Sequence, residues 1–140
     1  MTAAGALDAI AARLVAAGLS EARSPLGVRN EGAGRVDRCF SVRPKSATAP
    51  GFRGKDRHRI GLAFTVEMGH RLKPSAGADA PDTALADYER AIKYIATAGT
   101  ALTTDAAITF GAATWTYAGG GAFLITAFDL TVSYTLDLSL

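Results

Sequence analysis

The chain reads as an α+β protein: a mainly antiparallel four-stranded sheet with two helices packed on one face, in the order α-β-β-α-β-β. Three observations predict this. Two segments repeat apolar residues at helical spacing, four others alternate apolar and polar residues at strand spacing, and the last two alternating runs flank Gly119, Gly120 and Gly121, a hairpin turn. A length of 140 residues suits one domain, 1–140, able to bury a core without cross-links.

The first helix is carried by Leu7, Ile10, Ala11, Leu14 and Val15, which recur at i, i+3, i+4, i+7 and i+8, and it ends near Gly18. The stretch SEARSPLGVRNEGAGR then reads as loop. Val36, Phe40 and Val42 alternate with polar residues to make the first strand, ended by Pro44, which cannot donate to a ladder. Residues 45–57, KSATAPGFRGKDR, read as a long exposed loop, because their basic side chains cannot enter a core. In the next run Ile60, Leu62, Phe64, Val66, Met68, His70 and Leu72 take every second position, which predicts a long strand.

After a Pro/Gly/Ala/Ser linker, Asp82 is the expected N-cap of a second helix, in which Leu85, Tyr88, Ile92 and Ile95 share a face and Gly99 follows the end. AITFGAATWTY and the final run form the closing hairpin. Leu124, Thr126, Phe128, Leu130, Val132, Tyr134, Leu136 and Leu138 point one way along that final strand. Its far tip is expected to outrun its hairpin partner and to present an unpaired edge to another chain. The predicted core is Leu7, Ile10, Leu14, Ile60, Leu62, Phe64, Val66, Leu85, Tyr88, Ile92, Ile95, Phe128, Leu130 and Val132.

Composition and charge narrow the function. With 49% hydrophobic residues against 20% charged, the chain is too apolar for a disordered protein. A single cysteine, Cys39, excludes an internal disulfide and points to a reducing compartment. The N-terminal run is broken by Asp8 and Arg13 and does not read as a signal peptide, and no apolar run approaches the ~18 residues needed to span a bilayer, so a soluble protein without membrane contact is expected.

Net charge is +2, unevenly spread. Residues 35–59 hold eight basic and two acidic residues, whereas 61–140 hold four basic and eight acidic, so the two segments carry opposite charge. The basic segment is suited to phosphates, to an acidic protein surface, or simply to solvent.

No catalytic, cofactor-binding or metal constellation is spelled out. His58 and His70 have no zinc spacing and no nucleophile beside them, and His70 falls on the apolar face of its strand. Cys39 lacks a neighbouring base, Asp87 and Glu89 diverge on a helix, and neither glycine cluster opens a helix after a strand as a phosphate-binding loop must. The chain is expected not to be an enzyme and to need no cofactor.

The segments LDAIAARLVAAGL, RCFSVRP, HRIGLAFTVEMGHRL, ALADYERAIKYIATAG and WTYAGGGAFLITAFDLTVSYTLDL, in that order, resemble the tail terminator proteins of long-tailed phages, the minor tail protein U type. The resemblance implies a structural virion protein of the tail and neck, assembled in the host cytoplasm. It would form a hexameric ring at the head-proximal end of the tail tube, stop tube growth and offer the head-joining surface. Its partners would then be copies of itself, the tail tube protein and a head-tail connector or stopper protein, with possible non-specific contact to DNA in the lumen. Arg43, Lys45, Phe52, Arg53, Lys55, Arg57 and Arg59 are the candidate contact residues, and the oppositely charged segments would meet between neighbouring subunits. The alternatives are another connector or tail completion protein, and a non-specific nucleic-acid-binding module using residues 35–59.

Overall fold

The computed structural model describes residues 2–22, 37–48, 57–72, 79–97, 106–118 and 123–137. Helix α1 spans Ala3–Ala16, strand β1 Ser20–Glu21, β2 Cys39–Thr48, β3 Arg57–Arg71, helix α2 Asp79–Thr97, β4 Ala107–Ala118 and β5 Phe123–Asp137. The strands form one five-stranded sheet in the order β1-β2-β3-β5-β4.

This corrects the expected four-stranded antiparallel sheet: a fifth strand is present, and it pairs parallel to β2, Ser20 with Cys39 and Glu21 with Phe40. The cause is local. Thr2 caps the start of α1 by accepting from the Gly5 amide at 3.0 Å. At the other end the Gly18 amide donates to the Val15 carbonyl and the Leu19 amide to the Leu14 carbonyl, a paired closure that needs the left-handed backbone Gly18 supplies at φ 96°. The turn drops buried Leu19 into the core and aims the Ser20 and Ala22 amides at the carbonyls of Arg38 and Phe40. Gly18→Ala is therefore expected to cost about 1 to 2 kcal/mol in urea denaturation, as a Cβ at positive φ strains this turn.

Strands β3 and β5 pair antiparallel over their whole length, from Arg57 opposite Asp137 to Arg71 opposite Phe123. This register puts Phe64 beside Leu130, Val66 beside Phe128 and Leu62 beside Val132, so the alternating apolar sets meet on the face that carries the helices. Ile10, Leu14, Phe64, Val66, Ile95, Phe128, Leu130 and Val132 are buried there as expected, while Leu7, Ile60, Leu62, Tyr88 and Ile92 pack at its margin. Phe40, Met68, Ala91 and Tyr134 join them. Leu85 does not: it is 48% exposed, as is Val15 at 52%. The buried sides of the helices run instead through Ala6, Ile10, Arg13 and Leu14 and through Ala84, Asp87, Ala91 and Ile95.

Pro44 does not end β2. The strand continues to Thr48 through a bulge that leaves Lys45 out of register, and Pro44 is tolerated because β1 covers β2 only at Cys39 and Phe40. The expected loop 45–57 thus loses 45–48 to β2 and Arg57 to β3, and 49–56 lie outside the described residues. Helix α2 begins a turn earlier than Asp82, with Pro81 in the first turn, where its missing N–H costs nothing. The β5 tip outruns its hairpin partner as expected: β4 pairs with β5 only as far as Ser133, while Tyr134–Asp137 pair with β3.

Candidate functional site

The functional question turns on three features: a buried polar cluster, a charged ladder, and the two outer edges of the sheet.

The buried cluster joins Arg38, His70 and Asp87. Arg38 enters β2 at positive φ (51°), and its guanidinium donates from Nε to Asp87 Oδ2 and from Nη2 to Asp87 Oδ1, both at 3.0 Å. His70, near the end of β3, reaches the same Oδ2 through Nε2 at 2.7 Å. A carboxylate can only accept, so Nε2 carries the hydrogen, and Nδ1 has no hydrogen-bond partner among the described residues. Burial pushes the Asp87 carboxyl up, but the hydrogen bonds from Arg38 and His70 outweigh it, and the group is held below its ordinary value.

The cluster ties α2 to the start of β2 and the end of β3. Among the described residues no nucleophile shares it. Cys39 is buried, and burial pushes its thiol up, away from the reactive thiolate. No group of three or more metal-ligating residues occurs among the described residues. Helical arithmetic hid the cluster, because its members lie on three elements and a lone histidine in an apolar stripe gives no signal of its partner.

The charged ladder lies on the sheet face opposite the helices. Arg43 Nη2 meets Glu67 Oε1 at 2.7 Å, and Lys45 Nζ meets Asp129 Oδ2 at 2.6 Å. Thr65 donates to the other Asp129 oxygen at 2.9 Å. The hydrogen bond from Lys45 leads the effects that hold the Asp129 carboxyl below its ordinary value. Of the residues expected to contact partners, Arg43 and Lys45 are thus brought together with acids of the same chain. Arg57 opens β3 opposite Asp137, Arg59 lies in β3 opposite Thr135, and Phe52, Arg53 and Lys55 lie outside the described residues. The oppositely charged segments therefore meet within one molecule at Arg38–Asp87, Arg43–Glu67 and Lys45–Asp129.

The two sheet edges differ sharply. Beyond Phe40 the outer side of β2 carries Arg43, Pro44, Lys45 and a bulge, all features that discourage another strand from adding. Strand β4 pairs only with β5 among the described residues, runs for 12 residues, and contains no charged residue and no proline. No β4 residue is buried, and Trp115 and Tyr117 are 41% and 63% exposed. Tyr88 of α2 packs edge-on against Trp115, with ring centroids 5.6 Å apart, and Leu85 stands one turn before it. A long uncharged edge with aromatic side chains offers backbone donors and acceptors and apolar area to an incoming strand. The sequence pointed to the β5 tip, which does run past β4, but not to β4 itself, because strand order decides which strand is outermost.

No protein-family model matches the chain, and no curated protein matches it. The edge is to be judged by its own chemistry.

Proposed function

We propose that this chain is a non-enzymatic structural subunit whose work is assembly, and that the outer edge of β4 is where another strand joins it. The observation that carries this reading is the contrast between the blunted β2 edge and the uncharged β4 edge, which among the described residues is paired on one side only. The resemblance to tail terminators extends it to a ring of six copies that caps the tail tube, stops its growth and meets a head-tail connector in the virion. The order of helix, two long strands, helix and closing hairpin supports that extension, while the added parallel strand β1 is a departure from the plan on which it was drawn.

The charge pairs within the chain alter how assembly should respond to salt. Arg38, Arg43 and Lys45 already face carboxylates and β4 carries no charge, so the β4 contact rests on backbone hydrogen bonds and apolar area. Size-exclusion chromatography with light scattering should show a multimer whose share rises with concentration and does not fall between low salt and about 1 M. A chain that stays monomeric at every concentration, alone and with a tail tube protein, overturns the assembly reading. A tight, salt-sensitive DNA complex formed by a monomer would replace it with the nucleic-acid-binding one.

A further inference from the structure

We infer that the occupant of the β4 edge is a second copy of this chain, paired antiparallel, β4 to β4, about a two-fold axis at Trp115. The inference rests on the assembly reading and names its partner. A strand that joins β4 must present an open edge of its own, and among the described residues the β2 edge beyond the two-residue β1 is blunted by Arg43, Pro44 and the Lys45 bulge. Head-to-tail addition of β2 to β4 is therefore disfavoured, whereas β4 meeting β4 covers both open edges at once and closes after two copies.

The strand is also complementary to itself. With Trp115 on the axis, Thr114 stands opposite Thr116 of the second copy, and Ala113 stands opposite its Tyr117. The register of β4 on β5 places Trp115, Tyr117 and Ala113 on the helix side of the sheet and Thr114 and Thr116 on the other. An axis perpendicular to the sheet keeps those sides matched between copies. Threonine then meets threonine, and the most exposed aromatic ring lies over a small residue. The paired stretch stops at the bulge between Phe110 and Ala113, so it uses the regular half of the strand. The absence of charge along β4 removes the usual repulsion between identical edges. Such a pair is isologous and closes after two copies, so it rests on the assembly reading alone and not on its extension to a ring of six.

Charge substitutions on Thr114 and Thr116, both exposed, test the register. In T114K/T116K every threonine pair becomes a lysine pair, and self-association should weaken about tenfold or more, since like charges directly opposite repel. In T114K/T116E each lysine faces a glutamate of the other copy, and association should persist. Mixing T114K/T116K with T114E/T116E should restore pairing as a mixed species. Far-UV circular dichroism and thermal melting confirm that each variant is folded before light scattering is read. If folded T114K/T116K associates as tightly as the unaltered chain, the β4 pairing is wrong and assembly uses another surface. If T114K/T116E dissociates as T114K/T116K does, the antiparallel register is wrong. If the unaltered chain never associates, this inference fails together with the reading beneath it.

Discussion

Phe128→Ala is expected to destabilise the chain by about 3 to 5 kcal/mol, the largest effect of any single truncation argued for this fold. Phe128 is 2% exposed and sits in the interior strand β5, between Val66 of β3 and Ala113 of β4. Its ring lies edge-on to Tyr88, with centroids 5.5 Å apart at 71°, and Tyr88 in turn lies edge-on to Trp115. Removing it leaves a cavity under α2 and breaks the first link of an aromatic chain that runs out to the β4 edge. Urea denaturation should show a lower midpoint with an unchanged slope. Val15→Ala, at a position 52% exposed, serves as control and should stay within about 0.5 kcal/mol of the parent. A Phe128→Ala midpoint equal to that of the control would remove Phe128 from the core.

The second large effect is expected at Asp87. Asp87→Ala strips the acceptor from both the Arg38 fork and His70 Nε2, leaving a buried imidazole N–H and a guanidinium without their partner. The cost should be about 2 to 4 kcal/mol, below that of a wholly buried pair because the Arg38 side chain is 43% exposed. Acid should act on the same bond. A carboxyl held below its ordinary value in the folded chain stabilises wherever the unfolded chain would also be ionised, above about pH 4. That contribution is lost as pH falls below about 4, through the folded-state value. Denaturation midpoints measured from neutral pH down to about pH 3 should therefore fall more steeply for the parent than for Asp87→Ala. Parallel slopes would mean that Asp87 is not what makes the fold acid-sensitive. Asp129 acts in the same direction with less weight, since its side chain is 40% exposed and water screens its pairing.

The elements most legible in the sequence were those whose pattern is long. Thirteen consecutive alternating positions from Ile60 to Leu72 announced β3, and the run after the triple glycine announced β5. Both apolar sets were readable because each strand has one buried face, and a slip of one residue would have turned every side chain outward. Helix α1 and the stop at Gly18 followed from spacing and a capping glycine. The burial of Leu85 was misjudged because helical spacing defines a stripe, but how far the helix is rotated on the sheet decides which margin of it is covered.

What the sequence by itself determined, then, is what short-range physics controls: the kind of each long element, its apolar side and the capping glycine of α1. Only the tertiary structure decided the rest. A two-residue strand has no period, so β1 exists because the Gly18 turn delivers the Ser20 and Ala22 amides to β2. The Arg38–Asp87–His70 cluster exists because β2, α2 and β3 converge, although its residues stand 49 and 17 positions apart along the chain. Opposite charge along the chain was legible, but that Arg43 and Lys45 would fold back on Glu67 and Asp129 of the same chain was decided by the packing of β2 beside β3, with β5 beyond. Which strand stands at the edge is likewise a property of strand order, and local sequence cannot encode it, because an edge is defined by the neighbour that is missing.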